Sequence, residues 1–142
     1  YRTGELNLSG NVTISNNRLI RYSMRDETGN RVVLDGNPVA GFPDFLANLR
    51  AEYFPGPAVI SADAKYVGGF YTDNTRNANR RNSPYWVANA GLIVRPGGPE
   101  GTFGIRLEAR NIFNRLYFQN GEGDAFFPAA ERNYIIGITA GL

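Results

Sequence analysis

The sequence of 142 residues contains no cysteine and no histidine. Without cysteine there is neither a disulfide framework nor a thiolate metal site, and without histidine the commonest acid–base side chain and zinc ligand is missing. Most hydrolytic chemistry loses its base, so the chain is read as a non-enzyme, and no cofactor or metal is expected. Long apolar runs are absent too: the longest, around residues 134–138, falls far short of the roughly 18 residues of a membrane helix. If the chain crosses a membrane, it crosses as strands. An excess of one charge is also lacking, since 15 Lys and Arg stand against 13 Asp and Glu. Basic residues scattered among acidic ones do not form the stripe that nucleic acid requires. The start at Tyr1 shows neither Met nor a signal-peptide pattern and reads as a piece or a processed product.

What the sequence has in quantity is punctuation, with 17 Gly and 8 Pro placed between stretches of strict alternation. Residues 5–15 set Leu6, Leu8, Gly10, Val12 and Ile14 against Glu5, Asn7, Ser9, Asn11 and Thr13. The same period of two runs through residues 45–53, 58–72, 85–95, 102–110 and 134–142. Intervals of three and four fail in these stretches. Only residues 43–53, through Phe45, Leu46 and Leu49, admit a helical face, and they too are read as strand. In the last segment Tyr134, Ile136, Ile138, Ala140 and Leu142 share one face, which is read as the lipid-facing side of a closing strand.

The connections alternate in length. Residues 54–57 and 96–101 are short turns, whereas residues 21–44, 73–84 and 114–132 are long, polar and rich in Gly and Asn. In an up-and-down meander all long connections then share one rim and both short turns the other, the plan of outer-membrane barrels. Charge placement agrees, because Arg50, Glu52, Asp63, Lys65, Arg106, Glu108 and Arg110 all lie on the parity opposite the apolar one. These charges are expected to form a cross-strand ladder. Tyr53, Phe54, Tyr66, Phe70, Trp86, Phe103 and Tyr134 are expected near the interfaces, as an aromatic girdle. The expected fold is all-β: an antiparallel up-and-down meander of about six strands, part of a large transmembrane β-barrel.

Several motifs occur in order along the chain: SGNVTISNNRLIRY, GNPVAGFPDFLANLRAEY, AKYVGGFYTDNTRN, YWVANAGLIV, RLEARNIFNRLYFQNG and ERNYIIGITAGL. Together they resemble the C-terminal part of the barrel of TonB-dependent outer-membrane receptors. The ARNIFNRLY block, followed by an Arg-Asn pair and a terminal strand, is the most specific of them. The family commonly ends in Phe, where this sequence has Leu142. The resemblance covers residues 1–142 almost throughout. It implies a location in the bacterial outer membrane, a barrel of about 22 strands and a plug domain supplied elsewhere in the same receptor. It also implies uptake of a ferric siderophore or similar scarce nutrient, with TonB acting through the missing plug. Six strands do not readily close alone, since single-chain bacterial barrels begin at about eight.

For contact with such a ligand, Arg25, Arg76, Arg80, Arg81 and Gln119 stand out in the long connections, and Tyr71 at the end of the stretch before one of them. Guanidinium groups suit anionic chelates, and Tyr offers a flat contact surface. Asp73, Asn74, Asn77, Asn79 and Asn82 gather oxygen atoms, but their spacing fits no known calcium loop, and turn chemistry explains them better. The alternative reading is a soluble meander β-barrel that binds a ligand in its cavity.

Overall fold

The computed structural model describes residues 5–98 and 101–141. In chain order its strands are β1 (Glu5–Ile14), β2 (Ser23–Arg25), β3 (Arg31–Val33), β4 (Phe45–Phe54), β5 (Ala58–Val67) and β6 (Phe70–Tyr71). There follow β7 (Arg81–Asn82), β8 (Tyr85–Val94), β9 (Phe103–Arg110), β10 (Phe118–Glu122), β11 (Ala125–Pro128) and β12 (Asn133–Ala140), with one 3₁₀ turn at Ala78–Arg80. Six long strands form one antiparallel sheet in the order β1-β4-β5-β8-β9-β12, the expected meander. The other six strands pair as three short ribbons, β2–β3, β6–β7 and β10–β11, one in each long connection.

Register keeps the two parities apart across the whole sheet. One row runs from Leu8 through Ala51, Ala62 and Ala90 to Ala109, and the next from Gly10 through Leu49 and Ala64 to Ala88. On the opposite face Ser9 meets Arg50, Arg50 meets Asp63, and Asp63 meets Asn89. A slip of one residue would move every one of these side chains to the wrong face. The apolar face is uncovered: Leu8 is 68%, Leu49 59% and Ile136 73% exposed. Leu142, assigned to that face of the closing strand, lies outside the described residues.

β5, the third of the six long strands, is shorter than the alternation through residues 58–72. Gly68 donates its N–H to the Phe45 carbonyl at 2.8 Å, and the chain then leaves the sheet. A Cβ on Gly69 would meet the Arg81 guanidinium at 2.8 Å and the Asn82 carbonyl oxygen at 3.1 Å, so a side chain there would displace the guanidinium and crowd β7. Alternation restarts beyond the two glycines. Phe70, expected on the apolar face, is instead buried with Val67 and Tyr85, against Leu46 and Tyr117. Val67 is in register with both Leu46 and Tyr85, on the polar face of the sheet, so the loop end of that face carries a small apolar cluster. Phe54 also departs from the expected girdle, being registered with Glu5 on the polar parity.

The lumen-parity charges pair along strands more than across them. Arg50 binds Glu52 at 2.7 Å, and Glu108 is held by both Arg106 and Arg110. Asp63 accepts from the Asn89 amide at 2.7 Å. Residues two apart on a strand share a face, so an ion pair can close without help from a neighbouring strand.

The exit from β9 explains the ARNIFNRLY block. Asn111 and Asn114 both adopt the left-handed conformation, with φ of 52° and 49°, which Asn tolerates better than most residues. The buried Asn111 side chain donates to the carbonyls of Arg115 (2.8 Å) and Ala130 (3.2 Å) and accepts from the Arg115 N–H (2.9 Å). Asn114 Oδ1 accepts from the Arg132 N–H at 2.8 Å. The two asparagines thus tie the start of the third long connection to its end. Replacing Asn111 by Ala removes three buried hydrogen bonds at a strained position and is expected to cost about 2–4 kcal/mol. Hydrogen exchange should show the Arg115 amide losing protection. Unchanged protection there would mean that the backbone alone holds the turn.

Candidate functional site

The three long connections meet at one end of the sheet and are fastened to one another in sequence. Asn74 joins the first to the second: its Oδ1 accepts from the Ala40 N–H, and its carbonyl accepts from the Asn37 amide, each at 2.9 Å. Thr72 joins the second to the third, its hydroxyl donating to the Gly123 carbonyl at 2.6 Å. Asn82, buried, donates to the Phe118 carbonyl at 2.7 Å. A Cβ on Gly121 would meet the Thr72 methyl at 2.5 Å and the Ala125 carbonyl at 2.8 Å, so the β10–β11 ribbon can lie this close only because that residue is glycine.

Arg80 clamps the same junction. Its guanidinium binds both oxygens of Asp124, at 2.6 and 2.7 Å, and one oxygen of Asp73 at 2.6 Å. This fork-to-fork geometry is the strongest arrangement open to an Arg and a carboxylate. Arg80 titrates well above its ordinary value because Asp124 first, and Asp73 second, bind its protonated form. Asp124 is lowered chiefly by its hydrogen bond from Arg80. For Asp73, burial pushes the carboxyl upward, but hydrogen bonds from Thr75 and Arg80 outweigh it, and the net shift is downward. The oxygen-rich run considered for calcium is engaged in this clamp and in turns, with Asn77 capping the 3₁₀ turn. Among the described residues, no three acidic groups are gathered to hold a metal ion.

The six residues singled out for ligand contact fall in four places. Tyr71, Arg76 and Arg81 line one rim cleft, with Arg18, Phe42 and Asp44. Arg80 stands in the clamp. Arg25 lies on the β2–β3 ribbon, where it donates to the Gly29 carbonyl at 2.8 Å across the turn. Gln119 reaches the polar face of the sheet. There it lines a groove of about 520 Å³ with Arg50, Asp63, Arg106, Glu108 and Arg110 among its walls. Sequence reasoning missed the carboxylates that engage Arg80. Asp73 was visible only as one oxygen among many, and Asp124 lies 44 residues away, with no local signal.

No family model matches the sequence, and no curated protein matches it. Solved structures do. The siderophore receptor PiuA from Acinetobacter baumannii matches with a TM-score of 0.82 and 18% identity, over 97% of this chain and 20% of PiuA. The closed form of the ferric-catecholate import receptor Fiu from E. coli K12 gives 0.70 and 18%, over 95% of this chain and 18% of Fiu. FpvA from P. aeruginosa, bound to a heterologous pyoverdine and iron, gives 0.64 and 15%, over 96% of this chain and 17% of FpvA.

The fold is therefore one it shares with part of these structures, an all-β antiparallel meander. The chain spans about a fifth of the length of the solved structures it resembles. No helix among the described residues is long and apolar enough to cross a membrane, which has no bearing on crossing by strands.

The clamp has a defined pH response. Both carboxyls titrate below the ordinary value of 3.8, so the open state binds protons more readily. The clamp is fully formed above that value and is lost as pH falls below it through the lowered values. Hydrogen exchange at the Gly123 amide, which donates to the Thr72 carbonyl at 3.1 Å, should show protection that is flat from neutral pH to about 5, once corrected for intrinsic rates, and drops below 3.8. Arg80→Gln should remove the pH dependence and lower protection throughout. Equal protection in that variant would mean that Thr72 and Asn82 hold the ribbons together without the clamp.

Proposed function

We propose that this chain supplies wall, outer loops and closing strand to a TonB-dependent outer-membrane receptor that takes up a ferric siderophore or a similar scarce nutrient. The observation that carries the reading is an uncovered apolar face on a sheet with two open edges. Among the described residues β1 pairs only with β4, and β12 only with β9. In hydrocarbon each unpaired N–H or C=O costs several kcal/mol, so both edges require further strands. The remainder of the same receptor, plug included, is the partner assigned to them, and outer-membrane lipid is the partner of the apolar face. TonB would act through the plug.

A soluble ligand-binding barrel accounts for the same alternation but leaves Leu8, Leu49, Ile136 and Ile138 against water. The likeness in fold to PiuA and Fiu, whose names describe siderophore and ferric-catecholate receptors, supports the transport reading. Cargo passing through such a barrel would meet the polar face, so contact is assigned first to Gln119 on the groove. Arg25, on the outlying ribbon, is a further candidate.

The mass of the native polypeptide that carries this segment tests the reading. An antibody to residues 72–83 should find it in the outer-membrane fraction, well above 15.7 kDa. A product of 15.7 kDa in the soluble fraction would overturn the proposal. A second test is Ala62→Arg in the middle of β5. On a lipid-facing strand it should destabilise the folded barrel by about 2–4 kcal/mol, measured by denaturant titration in bilayers. An effect near zero would place that face in water.

A further inference from the structure

We infer that Asn120 is a site of spontaneous deamidation, and that its isoaspartyl product releases the β10–β11 ribbon from the β6–β7 ribbon. Asn120-Gly121 is the single Asn-Gly pair in the sequence. Chemistry at such a pair begins when hydroxide removes the proton from the Gly nitrogen. That nitrogen attacks Asn Cγ, the bond from Cγ to Nδ2 breaks, and ammonia leaves with a proton taken from water, which regenerates the hydroxide. Water then opens the cyclic succinimide at either carbonyl and gives aspartate or isoaspartate. The only reactants are the chain, water and hydroxide.

The fold presents the two reacting groups to each other. Gly123 and Asp124 form a two-residue turn, so Glu122 and Ala125 are the hydrogen-bonded pair that closes it, and Gly121 and Phe126 are the next, non-bonded pair. The Gly121 N–H therefore points off the ribbon, where it donates to Oδ1 of its own neighbour, Asn120, at 2.8 Å. That contact sets the nitrogen beside the carboxamide whose Cγ it attacks, and such placement speeds intramolecular steps. Gly121 carries no side chain to screen its nitrogen, and Asn120 is exposed to water and base. The ladder is also broken here, by a bulge between Phe118 and Asn120. Asn82-Ser83 makes the contrast: Asn82 is 2% exposed, and its Nδ2 donates to the Phe118 carbonyl at 2.7 Å. At Asp35-Gly36 the Gly nitrogen donates to the Leu19 carbonyl at 2.9 Å, away from the Asp35 carboxylate, which accepts from the Tyr22 N–H.

The position of Asn120 turns this chemistry into a release. Isoaspartate carries an extra carbon in the main chain, inserted immediately before the closest approach of the two ribbons. A Cβ on Gly121 would already lie 2.5 Å from the Thr72 methyl and 2.8 Å from the Ala125 carbonyl oxygen, so the lengthened chain has no room to keep its register. Just beyond are the groups that fasten the junction. The Gly123 carbonyl accepts from the Thr72 hydroxyl, the Gly123 N–H donates to the Thr72 carbonyl, and Asp124 is held by Arg80. Just before are Gln119, on the polar groove, and Tyr117, stacked on Tyr85 at 4.4 Å. The β10–β11 ribbon thus overhangs the polar face, and the isoaspartyl form loosens it there.

The inference does not rest on the transport reading. The test holds the folded polypeptide that carries this chain at mildly alkaline pH and samples it over time. Peptide mapping with electron-transfer fragmentation then separates Asn, aspartate and isoaspartate at each position. Asn120 should convert about tenfold faster than Asn82, at a rate proportional to hydroxide, and Asn120→Gln should remove the product. Asn120 left intact in the folded protein, while the urea-unfolded chain converts there, would overturn the site. Hydrogen exchange on the aged sample tests the release: molecules carrying isoaspartate should lose protection at the Gly123 amide, and treatment with protein isoaspartyl methyltransferase and S-adenosylmethionine should restore it. Asn120→Asp, which adds the charge without the extra carbon, should keep that protection. Unchanged protection in the isoaspartyl form, or an equal loss in Asn120→Asp, would overturn the release.

Discussion

Hydrocarbon offers no hydrogen bonds, so every N–H and C=O within it must be satisfied by the protein itself. A sheet meets this demand only if each strand has a neighbour on both sides, and in the proposed membrane barrel the rest of the structure follows from that condition. Among the described residues the four inner strands have two neighbours each, and the outer two have one. Side-chain parity follows too. Once the ladder is fixed, odd and even positions are committed to opposite environments, which is why alanines and leucines line one face from β1 to β12 while Arg50, Asp63, Asn89 and Glu108 line the other.

At the loop end the constraint relaxes, and a different kind of structure takes over. The two glycines at 68 and 69 release the chain from the sheet, and the ribbons beyond are held by side chains: Asn74 to the first connection, Thr72, Asn82 and Arg80 to the third. In the proposed receptor this level lies in water, so polar side chains can act as fasteners without the desolvation cost they would meet in hydrocarbon. The small apolar cluster of Val67, Phe70 and Tyr85 sits beneath the overhanging ribbon, at the boundary between the two regimes.

The wall was legible in the sequence because it obeys a local rule. A period of two needs only adjacent residues, and all six long strands were visible from it, with bounds differing by a few residues. Where the outcome depends on partners distant in sequence, the pattern was silent. Phe70 continues the apolar parity of β5 on paper, yet the glycine break turns it to the other side. The ion pairs were expected across strands and run largely along them, because side-chain reach and the competing Asn89 amide decide between geometries that alternation leaves equal. Arg80 looked like a mobile loop cation, and nothing near it in sequence announces Asp124. The split of the candidate contact residues between a rim cleft and the polar groove likewise depends on how one ribbon covers another.

Spin labels on single cysteines placed in turn at positions 60 to 66 of β5 test the central claim most directly, since the chain has no cysteine of its own. In the membrane-inserted receptor, labels at 60, 62, 64 and 66 should be relaxed by oxygen dissolved in lipid, and labels at 61, 63 and 65 by a water-soluble nickel complex. This alternation would establish a strand between lipid and a wet interior. Labels at the even positions shielded from both reagents would instead describe the core of a soluble sheet and contradict the account.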